Sequence, residues 1–146
     1  MDEAHARGLE RVYRAAPVNR LYDPEIEVGD GSTQISIPVK PEHFHGGGAL
    51  HGSVLFKLLD DAAFFAANSK VRGELVLTTS FHVHFQRPVT GGRLTATGHL
   101  VSRSRKLLVA EAVVVDERGR EVARGSGTFL PSGLALADLP GYPADD

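Results

Sequence analysis

Two neighbouring carboxylates, Asp60 and Asp61, are candidates for acid–base or nucleophilic chemistry, because they interrupt the most apolar segment of the chain. Leu58-Leu59 precedes them and Ala62-Ala63 follows them. A carboxylate in such surroundings is disfavoured unless it has a polar partner or a chemical task. Beside a polarised carbonyl, a carboxylate can act as a general base or as a nucleophile. On a helix the two side chains point about 100° apart, so they face different surroundings.

A second group of candidates lies just before this segment. Residues 41–49 (PEHFHGGGA) contain Pro41 and three consecutive glycines, which predict a loop whose backbone can approach another group closely. His45 lies in this loop, and His51 and Gly52 follow it. Gly52 falls at a predicted helix start, where backbone N–H groups are unpaired and the helix dipole is positive. Such an N–H can stabilise the oxyanion that forms when a carbonyl is attacked.

The composition fits one soluble domain and excludes several kinds of chemistry. The chain has 146 residues, of which 42% are apolar and 23% charged, as in ordinary globular domains. It has no cysteine, which excludes disulfides and thiolate catalysis. Its net charge of −2 provides no basic field for nucleic acid. The sequence has neither an apolar run long enough for a membrane span nor a signal-peptide pattern at its N-terminus, so we expect a cytoplasmic protein.

Two helices are predicted, one short and one central. Residues 2–15 form a polar N-terminal helix that ends before Pro17. The apolar segment that carries both carboxylates forms the second helix, which begins at Gly52 or Ser53 and closes at residues 68–69. Nearly every side of this second helix is apolar, so we expect other elements to surround it.

Six strands are predicted, and the central helix lies between the first two and the last four. The first two form a hairpin within residues 25–40, and the last four, joined by short turns, predict an antiparallel meander. A sheet curled around one buried helix is the most economical arrangement of these elements, which is an α+β fold. The last four strands are expected at 75–85, 93–101, 106–115 and 121–130. The resulting division is an N-terminal helix (1–20), a single domain (21–131) and a loosely held C-terminal tail (132–146).

Two segments resemble one known family. Residues 51–60 (HGSVLFKLLD) are similar to the helix motif of the phenylacetate-pathway, PaaI-type, hotdog thioesterases. That motif begins His-Gly-Gly and places the catalytic Asp nine residues after the His. Residues 78–88 (TTSFHVHFQRP) resemble the family's strand that starts with Thr or Ser and ends Phe-Leu-Arg-Pro. The resemblance covers about residues 25–130, and it implies the hotdog fold, acyl-CoA thioesterase activity and a catalytic role for Asp60.

The resemblance also bears on the residues around Asp60. Thr78 matches the family's hydroxyl position, which orients water or the carboxylate, although threonine is also a common strand residue. His45 stands six residues before His51, where the family carries Asn. Its imidazole either replaces the amide as a donor or base, or has no role. We interpret His51 as positioning the loop and helix start, and Asp61, which lacks the family's spacing, as solvated or structural.

Helix geometry requires two chains for the predicted chemistry. Between Gly52 and Asp60 a helix rises about 12 Å, so one carbonyl cannot touch both groups of the same helix. Two helices running antiparallel about a two-fold axis would bring the Asp60 of each chain to the Gly52 of the other. The sequence therefore predicts a site shared between the subunits of a homodimer, or of a dimer of dimers, as the resemblance also implies.

The substrate and its contacts follow from the same resemblance. CoA phosphates need cationic groups and the acyl chain needs an apolar tunnel. Arg103, Arg105 and Lys106 are predicted in a turn that resembles the family's nucleotide-binding position, and Arg87 is a second candidate. No cofactor is expected, since CoA is part of the substrate. No metal is expected either, because His82 and His84, which share the predicted face of Thr78, have no third ligand at motif spacing.

Two other functions on the same fold stay open. One is hydration or dehydration of enoyl or hydroxyacyl thioesters by a histidine and an acid, for which His45 and Asp60 are candidates. The other is a non-catalytic module that binds acyl-CoA. The position of the acid after His-Gly argues against the hydratase, and the lack of an added DNA-binding or regulatory segment argues against a sensor.

Overall fold

The computed structural model describes residues 2–142, and within them six strands and two α-helices form the predicted α+β architecture. Residues 143–146, the end of the predicted tail, lie outside the described residues. Short 3-10 helices occur at Pro17–Leu21, Pro41–His43 and Leu136–Asp138, the second of them inside the predicted loop. The α-helices are α1 (Glu3–Ala15) and α2 (Gly52–Asn68). The strands are β1 (Glu25–Val28), β2 (Ser32–Pro38), β3 (Glu74–Phe85), β4 (Arg93–Ser104), β5 (Leu107–Val115) and β6 (Glu121–Ala135).

The sheet curls around α2, as the apolar pattern predicted. Leu58, Leu59, Ala62 and Ala63 of this helix are at most 2% exposed. The helix contacts β2, β3, β4, β5 and β6, so one face of the sheet and the helix share one core. N-terminal helix α1 packs into the same core through Leu9 and Tyr13. The arrangement is the hotdog fold.

The strand order differs from the predicted meander. The sheet runs β1-β2-β4-β5-β6-β3, so only β4, β5 and β6 follow one another as neighbours, and β3 pairs with β6 at the edge. The reason is the link between β3 and β4. The N–H groups of Gln86 and Arg87 both donate to the carbonyl of Val122 in β6, and Val89 is buried. The link therefore crosses the end of the sheet to the far side, where β4 pairs with β2.

A β-bulge in β3 changes which side chains face the helix. The pairing with β6 shifts between Thr78 and Ser80, so Thr79 is an extra residue. Before the bulge Val76 and Thr78 face inward, and after it Phe81 does. Strict alternation along β3 was therefore a wrong prediction.

The bulge also separates the two histidines from Thr78. His82 and His84 are exposed on the outer face of the sheet, with ring centroids 4.7 Å apart. The prediction that they share the face of Thr78 was wrong, because the extra residue Thr79 reverses the alternation between them.

The described part of the C-terminal tail is held firmly. Strand β6 extends to Ala135, and Leu136 is fully buried, with its N–H donating to the carbonyl of Gly73. Tyr142 hydrogen bonds through its hydroxyl with Nδ1 of His5, at 2.8 Å. The prediction of a loosely held tail from residue 132 was wrong for residues 132–142, because they continue the pairing with β3 and bury an apolar side chain.

The closest approach between α2 and the sheet depends on Gly98 in β4. A Cβ atom there would lie 2.3 Å from the carbonyl oxygen of Ala62 and 2.8 Å from the nitrogen of Ala63. These are backbone atoms in mid-helix, which cannot turn aside as a flexible side chain could. Gly98 therefore lets the backbone of α2 lie directly on the sheet.

We predict that Gly98→Ala destabilises the fold, because the added methyl group overlaps the helix backbone. The free energy of unfolding should fall by about 1–3 kcal/mol, as measured by urea denaturation. Gly91→Ala is a matched control, since a Cβ at Gly91 would meet nothing within 4 Å, and it should stay within about 0.5 kcal/mol of wild type. Equal stability of the two variants would contradict this account of the helix contact.

Candidate active site

Asp60 lies half-buried on α2 and has one specific partner on β3. Its Oδ1 accepts a hydrogen bond from Oγ1 of Thr78 at 2.8 Å. Burial raises the pKa of Asp60 above its ordinary value, the Thr78 hydrogen bond opposes this, and the charge of Asp61 raises it further while Lys57 lowers it. The net result is a raised pKa, which is typical of a carboxylate with an acid–base role. The structure thus brings together two of the predicted site residues.

Asp61 points away from Asp60 and has structural partners, which is one of the two alternatives, solvated or structural, that the sequence left open. Its Oδ2 accepts hydrogen bonds from the hydroxyl of Tyr13 at 2.7 Å and from Nζ of Lys57 at 2.5 Å. Its side chain is only 18% exposed. The adjacent acids therefore have separate surroundings, one facing β3 and the other facing α1.

The start of α2 is fixed by His51. Its Nδ1 accepts a hydrogen bond from the N–H of Ser53 at 3.0 Å, so His51 is the N-cap of the helix. This contact supports the interpretation of His51 as a residue that positions the helix start. The N–H of Gly52, the first helical residue, has no acceptor among the described residues. An unpaired N–H at the positive end of a helix is suited to bind an oxyanion.

An open cleft of about 340 Å³ lies at this end of the helix. It brings together three of the predicted site residues, His45, Gly52 and Arg87. His45 accepts a hydrogen bond from the N–H of Gly47 through Nδ1, at 2.9 Å. That nitrogen is engaged within its own loop, and the imidazole is exposed. The residues lining the cleft are His45, Leu50, Gly52, Leu55, Phe85, Gln86, Arg87 and Pro88.

The other predicted cations lie near the opposite end of α2. Arg103 donates to the carbonyl of Lys70, just beyond the C-terminus of the helix, at 2.7 Å. It lies within β4, which runs to Ser104, so its predicted place in a turn was wrong. Arg105 and Lys106 alone connect β4 to β5, and Arg105 has a positive φ of 51°, as a two-residue hairpin loop requires. Within one chain these cations are not near Arg87.

Sequence reasoning missed the aromatic residues of β3 that face the helix. The ring of Phe85 lies so close to Gly52 that a Cβ there would be 3.2 Å from it. The ring of Phe81 meets that of Phe56 edge-on at 5.6 Å. The sequence did contain a signal for this aromatic surface. Gly52, Phe56 and Asp60 follow one another at intervals of four residues, which places all three on one face of a helix. That face carries Gly52, Phe56 and Asp60, and β3 faces them with Phe85, Phe81 and Thr78.

Two further findings concern the described residues as a whole. Within residues 2–142, no group of three or more His, Asp or Glu side chains is arranged to hold a metal ion. None of the helices in this range combines the length and apolarity needed to cross a membrane.

The chain belongs to the thioesterase superfamily. The superfamily domain matches residues 47–123, which are more than half of this chain. A curated protein of Saccharolobus solfataricus, whose name describes it as a putative esterase, is 26% identical over 84 residues. The alignment covers 58% of this chain and 56% of that relative, so this chain spans little more than half the relative's length.

Solved structures support the same fold. A thioesterase family protein from Silicibacter pomeroyi is 26% identical, with a TM-score of 0.82, over 90% of this chain and 98% of its own. The PaaI protein of the E. coli phenylacetic acid degradation operon has a TM-score of 0.80, over 91% of this chain and 99% of its own. At 22% identity the second likeness concerns the fold alone.

We predict that Asp60→Asn stabilises the folded protein at neutral pH. The unfolded chain ionises Asp60 near the ordinary value of 3.8, whereas burial raises the folded pKa above it. The protein is therefore destabilised as pH rises from 3.8 through the folded pKa, because the unfolded chain releases the proton more readily than the folded one. Asparagine stays neutral, so thermal melts should show a higher midpoint than wild type at pH 7 and a smaller difference near pH 4. A lower midpoint at pH 7 would contradict a raised pKa.

Proposed function

We propose that this protein hydrolyses acyl-CoA thioesters to a free acid and CoA, with Asp60 as the catalytic carboxylate. The observation that carries the proposal is the hydrogen bond between Asp60 and Thr78 on a half-buried face of α2. The same face begins with Gly52, whose N–H is unpaired among the described residues. Membership of the thioesterase superfamily supports the reaction class. The acyl-CoA substrate and the residue roles are our inference.

Two routes use the same carboxylate. As a general base, Asp60 removes a proton from water while the water oxygen bonds to the thioester carbon; the C–S bond then breaks, and the proton passes to the departing CoA thiolate. As a nucleophile, Asp60 itself bonds to that carbon, expels the thiolate and forms a mixed anhydride that water hydrolyses. Both routes need an ionised Asp60, and Thr78 positions either the carboxylate or the water.

The oxyanion is assigned to the N–H of Gly52 of the partner subunit. The eight residue steps from Gly52 to Asp60 correspond to about 12 Å of helix, which is too far for both groups to act on one carbonyl. If the α2 helices of two subunits run antiparallel about a two-fold axis, the Gly52 N–H of one subunit comes close to the Asp60 of the other. Edge strand β3 flanks the helix face that carries both groups, so we propose that the partner approaches from this side.

CoA is proposed to enter through the cleft at the helix start. Arg87 lies beside Gly52 there, and it supplies the positive charge that a CoA phosphate needs. Arg103, Arg105 and Lys106 are a second cationic group, which would serve a site built with the partner's residues. The aromatic residues near Asp60, Phe56 and Phe64, supply apolar surface for the acyl group.

The hydratase alternative has less geometric support. It requires a histidine that acts with Asp60, yet Nδ1 of His45 already accepts from the N–H of Gly47, which leaves only Nε2 of that ring for a substrate. Assays of enoyl-CoA hydration beside thiol release would separate the two reactions. Hydration without thiol release would favour the alternative.

Replacing Asp60 should remove most of the activity. We predict that Asp60→Asn lowers kcat for acyl-CoA hydrolysis by at least about 100-fold, because an amide neither accepts the proton nor attacks the carbonyl. Thiol release from a panel of acyl-CoAs measures the effect. Asp23→Asn is the matched control, since Asp23 is exposed, pairs with Lys40 and has a positive φ that asparagine adopts readily. An active Asp60→Asn variant would remove Asp60 from the mechanism.

The shared site can be tested by removing one N–H. Gly52→Pro deletes that donor at a position where the helix tolerates proline, since Gly52 is the first helical residue and His51 already has φ −64° and ψ 138°. We predict that Gly52→Pro and Asp60→Asn are each inactive, and that random mixed dimers recover about a quarter of wild-type activity, because half of the dimers carry one intact site.

The matched control is Gly52→Ala, which adds a side chain but keeps the N–H and should retain activity in the unmixed dimer. Co-expression with two different tags gives the mixed dimers in defined yield. Absence of recovery in purified mixed dimers would place both groups within one chain or exclude the Gly52 N–H from the site.

A further inference from the structure

The face of α2 next to Asp60 carries a partly buried ion pair. Lys57 and Asp61 lie one helical turn apart, with Nζ and Oδ2 separated by 2.5 Å. Their side chains are only 19% and 18% exposed. Two charges so far removed from water depend on each other, because either one alone would be desolvated without compensation.

The N-terminal segment encloses this pair. The hydroxyl of Tyr13, in α1, donates to the same Oδ2 of Asp61 that accepts from Lys57. The ammonium of Lys57 lies 5.3 Å from the ring centroid of Tyr13 and 5.4 Å from that of Tyr22, within the range of cation–π attraction. A small gap lined by Tyr13, Tyr22 and Lys57 has no room for a water molecule. Lys57 is therefore directed toward α1 by one carboxylate and two rings.

Without these contacts Lys57 could reach a second carboxylate. Asp60 follows Lys57 by three residues, and side chains at this spacing are neighbours on a helix surface. The groups that act on Asp60 are Lys57 and Asp61 from its own helix and the hydroxyl of Thr78 from β3. Asp61 raises the pKa of Asp60 and Lys57 lowers it. The pKa of Asp60 therefore depends on which of the two carboxylates binds the Lys57 ammonium.

We propose that Tyr13, Lys57 and Asp61 form a positioning network that holds the Lys57 ammonium on Asp61 and away from Asp60, leaving Asp60 free of an ion pair. The proposal rests on the proposed function of Asp60. An ion-paired carboxylate is a weaker base and nucleophile, so the network keeps Asp60 reactive. Tyr13 lies outside residues 47–123, which match the superfamily domain, so α1 contributes this control from beyond the matched segment.

The test compares the acidic limb of kcat/KM against pH in two variants. In Asp61→Asn a like charge is lost and Lys57 turns to Asp60, so the limb should move to lower pH by about one unit, with a lower plateau at neutral pH. In Lys57→Met the cation is lost and Asp61 remains, so the limb should move to higher pH. Displacements in opposite directions are not expected from general loosening of the fold.

The role of Tyr13 is tested by a double-mutant cycle. Tyr13→Phe keeps the ring but removes one donor to Asp61, so the limb should move in the same direction as in Asp61→Asn, by less. In the Asp61→Asn background Tyr13→Phe should have no further effect, because Tyr13 acts through Asp61. An equal displacement in both backgrounds would overturn the role of Tyr13.

Asp23→Asn and Lys40→Met are matched controls, since these two residues form an ion pair of the same length and neither is among the groups that shift the pKa of Asp60. Both should leave the limb unchanged. If Asp61→Asn does not fold, Lys57→Met and Tyr13→Phe carry the test alone. If the acidic limb of kcat/KM lies at the same pH in these variants as in wild type while Asp60→Asn is inactive, the network is overturned. The proposed function would then stand. An active Asp60→Asn would overturn the proposed function itself.

Discussion

The contact between α2 and the inner face of the sheet is the constraint on which the rest of the structure depends. At Gly98 the strand has no side chain, and the backbone at Ala62 lies directly against it. This contact sets how deeply the helix sits, and therefore how far Asp60 is withdrawn from water. At this position of the helix Asp60 is half-buried, and the burial raises its pKa. The carboxylate is still reachable from the open side of the helix.

Two adjacent acids in one helix acquire different properties because their surroundings differ. Asp60 meets a single neutral donor, the hydroxyl of Thr78, and its pKa is raised by burial. Asp61 meets an ammonium and a phenol, which both donate to its Oδ2. The sequence presents them as near equivalents, and only the packing of α1 on one side and β3 on the other distinguishes them.

Much of the fold and part of the site could be predicted from the sequence. The apolar helix, its start near Gly52, and the strand positions follow from local periodicity. The motif singled out Thr78 but left open whether its hydroxyl meets water or the Asp60 carboxylate, which it contacts in the structure. Strand order could not be predicted, because it depends on the hydrogen bonds of residues 86–87 to Val122, which lies far along the chain. The tail was wrongly predicted to be loosely held because it is rich in Pro, Gly and Asp. One residue within it, Leu136, is nevertheless fully buried.

The bulge at Thr79 couples the two ends of the candidate site. It allows one strand to present a hydroxyl to the acid near the middle of α2 and an aromatic ring to the start of that helix. Removing one residue at this point would restore plain alternation and turn either Thr78 or Phe85 outward. Insertions and deletions in this strand would therefore be tolerated only in compensating pairs.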